Sequence, residues 1–153
     1  MVRFQISLFL VSNCVNFFFE TQEVNEMEAK EKALPFRLLS SGVPQRVNSS
    51  FYNVKYIRAI PAYYVKINPE DAKTYGIKNN DRVQLSNHRG EAKFVAMITS
   101  GVPQGTLMSP KCNWLRLNPN GTEGCTNSLT TDRLTDMGGC SAYHSTRVSL
   151  AKA

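Results

Sequence analysis

The sequence predicts a mainly β domain, a barrel or sandwich with few helices. Short runs of alternating apolar and polar residues recur from Leu34 onward, and Gly, Pro and Asn turn signals separate them at close spacing. Only one stretch in that part carries a full set of helix-start signals. The length, 153 residues, suits one domain rather than two, and 42% hydrophobic residues can bury a core. With 20% charged residues the composition argues against wholesale disorder. No apolar run reaches the roughly 18–20 residues that a membrane span needs.

The first strand is expected at Phe36 and Leu38, running through Ser40-Ser41-Gly42 into a Gly-Pro turn. Tyr63 to Ile67 is the next, with Tyr63, Val65 and Ile67 on one face and Tyr64 and Lys66 on the other. Asn68-Pro69-Glu70-Asp71 then starts a helix. Asn68 can cap the free amides, Pro69 suits the first helical position, and two acids sit at the positive end of the dipole. Gly76 can end the helix about two turns later. Asn79-Asn80-Asp81 is a turn, and Val83 and Leu85 alternate into a strand. Asn87-His88-Arg89-Gly90 is a hairpin connection, and Ala92, Phe94 and Ala96 alternate along the returning strand. Gly101 to Gly105 is a further turn before the apolar Leu107-Met108, and Arg147 to Leu150 can form a last strand. The pentapeptide Ser-Gly-Val-Pro-Gln occurs at 41–45 and again at 100–104. Its flanks do not match, so it marks a shared element, a turn leaving a strand, rather than a sequence repeat.

Residues 1–34 read differently. Ile6 to Phe19 is apolar but broken by Ser7, Ser12, Asn13 and Asn16, and the acidic, helix-prone stretch Glu20 to Lys32 follows. The segment is expected to be an atypical leader or an upstream remnant, poorly ordered. It carries three basic and five acidic residues, whereas residues 35–153 carry fifteen basic and seven acidic ones. The basic part suits an anionic partner, but its charges are scattered and form no run, so on charge alone a positively biased solvated surface is the preferred reading.

No self-contained catalytic site is legible. The two histidines, His88 and His144, stand in no triad context, and no Gly-x-Ser-x-Gly, Walker or Gly-x-Gly-x-x-Gly motif is present. Cys14, Cys112, Cys125 and Cys140 include no Cys-x-x-Cys pair, so a metal site built from this chain is not expected. Tyr52, Tyr56 and Tyr63 near Lys55 and Arg58 form a weak nucleic-acid face at most. Two loops, 46–53 and 124–131, are rich in Ser, Thr and Asn. They are ordinary surface loops by composition, but their hydroxyls, amides and backbone N–H groups would also suit a large polar ligand with phosphates and fused heterocycles.

A set of ordered motifs extends this reading. Asn68-Pro69-x-Asp71-Ala72, Gly76-Ile77, Asp81-x-Val83 and Asn87-x-Arg89-Gly90 resemble the C-terminal molybdopterin dinucleotide-binding domain of the DMSO reductase family. Upstream, Asn48-Ser49-Ser50-Phe51-x-Asn53 with Ile57-Arg58 resembles that family's His-Ser-Ser segment. Downstream, Gly124-Cys125-Thr126-Asn127-Ser128-Leu129-Thr130-Thr131-x-Arg133 resembles its Gly-Cys-x-Asn-x-Leu-Thr segment. The combination is most like the catalytic subunit of anaerobic DMSO reductases and covers residues 35–150.

The resemblance implies a six-stranded double-psi β-barrel, aspartate decarboxylase-like, with a few short helices. It also implies molybdopterin guanine dinucleotide as ligand, two copies around one molybdenum in the parent enzymes, with this domain lying over the cofactor as a lid. By matching positions, Asn48, Ser49 and Ser50 would lie at a pterin or pyrophosphate, Asn127 would hydrogen-bond the cofactor with Thr130 close by, and His144 would match a histidine common before the last strand. Asp71, Gly76, Asp81 and Gly90 match positions whose role is turn and cap geometry. Asn48 stands where histidine is usual.

The family's iron–sulfur cysteine cluster and the domain that donates a ligand to molybdenum have no counterpart in this sequence. The chain is therefore not expected to bind the metal or to catalyse unaided. Its partners would be the remaining domains of the catalytic subunit and an iron–sulfur electron-transfer subunit. It would be either a gene fragment or a separately encoded cofactor-binding subunit in anaerobic respiration. As encoded it is expected in the cytoplasm, although its relatives are often exported. The alternatives are a basic β-barrel that binds nucleic acid or a protein partner, a non-functional remnant, and a pyruvoyl enzyme on the same barrel. The last needs a Gly-Ser bond, which the sequence lacks.

Overall fold

The computed structural model describes residues 7–11, 14–18, 29–51, 53–58, 63–111, 113, 124–135 and 138–153. Tyr52, Cys112 and most of the acidic stretch before Ala29 lie outside the described residues. Strands β1 (Ser7–Val11) and β2 (Cys14–Phe18) pair as an antiparallel hairpin, a two-stranded sheet of their own. After the single-turn helix α1 (Ala29–Lys32) the barrel begins with β3 (Phe36–Ser41). There follow α2 (Lys55–Arg58), β4 (Tyr64–Ile67), α3 (Pro69–Thr74), β5 (Arg82–Asn87), β6 (Gly90–Ile98), β7 (Thr106–Pro110) and β8 (Arg147–Lys152). Among the described residues between β7 and β8 are the 3₁₀ turns Thr126–Ser128 and Tyr143–Ser145.

The six strands from β3 to β8 close into a barrel in the order β3-β7-β4-β6-β5-β8. Two neighbouring pairs are parallel, β3 with β7 and β4 with β6; the other four contacts are antiparallel. Exchanging β3, β4, β5 for β6, β7, β8 maps this pairing onto itself, senses included. The topology is therefore pseudo-twofold, as a double-psi barrel requires. The repeated pentapeptide follows β3 in one half and β6 in the other, so its two copies occupy equivalent places. Val43 and Val102, its central residues, are both buried, which explains why an exit turn keeps an apolar residue there.

The expected alternation is what fills the interior. Val65 and Ile67, Val83 and Leu85, Ala92, Phe94 and Ala96, and Leu107 are all buried in one apolar cluster with Phe36, Leu38, Val148 and Leu150. The alanines on β6 flank Phe94, so one large ring fits among small neighbours on a strand that bends around the barrel. The helix start reads as the residues require. Asn68 Oδ1 accepts the Glu70 amide at 3.0 Å, Pro69 is the first helical residue, and Gly76 follows the helix at φ +62°, where a side chain would be strained. Asp71 Oδ2 accepts the Gly105 amide at 2.8 Å, which ties α3 to the turn before β7. Asp81 Oδ2 accepts from the Lys78 amide at 2.9 Å and pairs with Lys152 Nζ at 2.8 Å, so Lys152 and that amide hold its carboxyl below the usual aspartate value.

Asn68 also donates from Nδ2 to the Val102 carbonyl at 2.8 Å and so joins the helix start to the second pentapeptide. Asn68→Ala removes both bonds and is expected to cost about 1–2 kcal/mol in chemical unfolding. Asn68→Ser keeps an acceptor for the cap and is expected to cost less; equal losses would show that the cap contributes nothing.

Candidate functional site

The barrel closure gathers the two Ser/Asn-rich loops at one end. Parallel pairing of β3 with β7 brings Ser41 and Pro110 out together, and Lys111 donates its amide to the Ser41 carbonyl at 2.8 Å. Ser109 Oγ donates to the Tyr64 carbonyl at 3.0 Å, so β4 starts at that end, and so does its parallel neighbour β6. The 43–53 loop leaves β3 there, and the 124–131 loop rests on β6 through the Gly124 amide, 2.8 Å from the Lys93 carbonyl.

The first loop is a succession of tight turns, with the Arg46 amide on the Val43 carbonyl and the Ser50 amide on the Val47 carbonyl. Asn48 has φ +51°, a conformation asparagine tolerates, and Phe51 has φ +65° although it is bulky and exposed. Asn48, Ser49 and Ser50 are all exposed. In the second loop, buried Thr126 and fully buried Leu129 pin down the two ends of a 3₁₀ turn whose crest, Asn127 and Ser128, faces solvent. Ser128 Oγ closes that turn on the Cys125 carbonyl at 2.8 Å, and Thr130 Oγ1 donates to the Asn127 carbonyl at 3.3 Å.

Two asparagines that the motif reading did not rank as site residues hold this end together. Asn113, buried, accepts from Arg46 Nη2 at 3.5 Å through Oδ1 and donates to the Gly124 carbonyl at 3.0 Å through Nδ2. It thereby links the two loops. Gly124 has φ +77°, and a Cβ there would lie 2.7 Å from the Cβ of Tyr63, so the close approach requires glycine. Asn87 accepts the Arg89 and Gly90 amides through Oδ1 and donates to the Leu129 carbonyl at 2.8 Å and the Arg147 carbonyl at 3.2 Å. It joins the β5–β6 hairpin, the second loop and the start of β8. A Cβ on Gly90 would lie 2.9 Å from the Ser128 carbonyl oxygen, so this position adds close packing on the second loop to the turn role expected of it.

Residues 36–147 match the family model described as "Molydopterin dinucleotide binding domain". The chain belongs to this family of molybdopterin dinucleotide-binding domains. Among curated relatives, it is 30% identical over 123 residues to the dimethyl sulfoxide reductase DmsA of Escherichia coli, covering 79% of this chain and 15% of that protein. It is 34% identical over 100 residues to the trimethylamine-N-oxide reductase of Pasteurella multocida, covering 63% of this chain and 12% of that protein. The chain thus spans less than a sixth of the length of either. Among solved structures, acetylene hydratase from Pelobacter acetylenicus matches with a TM-score of 0.67 at 18% identity, over 80% of this chain and 19% of that one, a likeness of fold.

The side chains at this end of the dinucleotide-binding domain suit a polar, anionic ligand. Asn48, Ser49, Ser50 and Asn127 are exposed neutral donors, and Ser40 Oγ and Arg89 Nη1 are buried polar atoms that have no hydrogen-bond partner among the described residues. A ligand oxygen can satisfy such groups where an apolar surface cannot. His144 lies on the second 3₁₀ turn, its ring 4.3 Å from that of Tyr143, and its carbonyl accepts from Arg37 Nε at 3.0 Å. Partial burial, then the charges of Lys111 and Arg37, hold its imidazole below the usual histidine value. Lys111, the first residue after β7, and Arg37 on β3 thus favour the neutral form of this ring. Cys125 and Cys140 are free thiols.

Two outcomes follow from this geometry. Asn113→Ala is expected to lower unfolding stability by about 1–3 kcal/mol, because buried acceptors and the Arg46 guanidinium lose a partner. Hydrogen exchange should rise in both loops; a rise in one loop only would contradict the tether. His144 is expected to titrate by NMR below an unfolded-state histidine, and Lys111→Gln to raise its midpoint. Because the folded value is the lower one, the stability from the neutral ring is present above the ordinary histidine value and is lost as pH falls through it. A midpoint at or above the ordinary value would contradict the charge environment described.

Proposed function

We propose that residues 35–150 hold molybdopterin guanine dinucleotide within a molybdenum oxidoreductase of the DMSO reductase type. The observation that carries this reading is the convergence at one barrel end of two loops rich in neutral donors, bridged by Arg46, Asn113 and Gly124, in a chain of this family. Asn48, Ser49 and Ser50 line the pterin or pyrophosphate side, Asn127 donates to the cofactor, Thr130 fixes the crest that carries Asn127, and His144 borders the site. When bound, the group supplies two-electron redox chemistry at its metal. This chain's own residues bind and orient it and exclude water, and supply no metal ligand.

The donor types fit that task. Neutral amides and hydroxyls can meet a buried polar ligand without leaving an unpaired charge, while the surplus of eight positive charges in residues 35–153 attracts its phosphates from a distance. Substrate reduction belongs to the remaining domains of the catalytic subunit, and electrons arrive through an iron–sulfur subunit. S-oxides and N-oxides are the substrate class in keeping with the relatives' names.

The test is copurification. Expressed in a host that makes the dinucleotide, the chain is expected to carry a pterin that fluoresces after oxidation. Asn127→Ala is expected to lower the yield about tenfold, the effect of roughly 1.4 kcal/mol at one contact. Equal pterin in both proteins would remove Asn127 from the site, and none in either would refute the reading.

A further inference from the structure

Glu31 precedes the family match, yet it is among the most buried charged residues described, at 3% exposure. Its Oε1 pairs with Arg89 Nη2, and its Oε2 lies 3.5 Å from Arg133 Nη1. His88 Nδ1 is 3.8 Å from Oε1. The three partners come from two places in the fold, the β5–β6 hairpin and the segment after the Asn127 loop. They converge on one carboxylate supplied by α1, outside the barrel. The contact is not saturated, for Arg89 Nη1 is buried and has no hydrogen-bond partner among the described residues.

Two partly buried guanidiniums facing one point form an anion site, since neither can shed its charge and each needs an acceptor. The site adjoins the candidate cofactor loops. Asn87, at the foot of the hairpin, donates to the Leu129 carbonyl, and Gly90 packs on Ser128. A carboxylate offers two oxygens to this pair. A phosphate or pyrophosphate group offers more, and could reach Arg89 Nη1 as well.

We propose that Arg89 and Arg133, with His88 beside them, form a phosphate-binding site that Glu31 occupies as an internal carboxylate stand-in, so that the α1 segment and a phosphorylated ligand compete. The site is defined by its anion chemistry. It rests on the dinucleotide reading only for the identity of the natural ligand. A ligand that takes the guanidiniums releases Glu31, and with it the segment that leads into β3. Conversely, the docked segment shields the site from adventitious anions until a better-matched group arrives.

Inorganic pyrophosphate is the probe, titrated calorimetrically into the full chain at low salt. Glu31→Gln is expected to bind it about tenfold more tightly than the unaltered chain, within the range of ordinary coupling between two sites. Adding Arg89→Gln to Glu31→Gln is expected to abolish the gain. Equal affinity of the first two proteins, or a gain that survives loss of Arg89, would overturn the proposal. Should Glu31→Gln fail to fold, hydrogen exchange on the unaltered chain decides. Saturating pyrophosphate is expected to deprotect residues 29–34, and unchanged protection would overturn the competition. Neither arm requires pterin, so failure here and failure of pterin copurification are separate results.

Discussion

Closure of the barrel by β8 is the constraint on which the rest depends. This strand pairs antiparallel with both β3 and β5, so the last strand meets the first and no edge remains open. A closed sheet satisfies backbone donors and acceptors along every strand and leaves only the strand ends free to carry loops. The two parallel pairs then force crossovers, because a parallel neighbour cannot be reached by a tight hairpin. The connections from β3 to β4 and from β7 to β8 join strands that are not neighbours in the barrel, and the parallel register of β3 and β7 makes both connections leave at the same end. Polar loops far apart in the chain thus become neighbours on one rim.

Amides, more than charges, hold that rim. Asn113 and Asn87 each use both ends of their side chain, accepting on one side and donating to backbone carbonyls on the other. An aspartate could not donate, and a buried charge would carry its own desolvation cost. Charge enters where an anion is already present. Arg89 and Arg133 face Glu31, and Lys152 faces Asp81. The basic surplus of the domain is thereby partly organised around specific carboxylates, and is not spread evenly over the surface.

The sequence reading and the structure agree most closely where the physics is local. The cap at Asn68, the αL exit at Gly76, the two-residue hairpin between Asn87 and Gly90 and the buried faces of β4, β5 and β6 involve residues a few positions apart. The closed double-psi topology was expected from the resemblance, whereas the residues on their own left barrel and sandwich equally open. The candidate loops were visible as Ser/Asn-rich stretches, but Asn113 and Asn87 were not visible as the links between them. Their partners lie 67, 11, 42 and 60 residues away, and no spacing rule reports such pairs. Arg89 stood in a motif read for its turn, and its partner Glu31 stood in a segment expected to be poorly ordered.

By itself, then, the sequence determined most of the barrel strands, the helix start, the turns and the polar character of the loops, because propensity, capping and alternation act within a few residues; the β1–β2 hairpin was not among its expectations. Tertiary structure decided which strands are neighbours, that the pentapeptide copies are symmetry mates, that the two loops share a rim and that Glu31 meets two arginines. These outcomes depend on closing long loops and on burying one common core, and each is a sum over the whole chain that no local stretch contains.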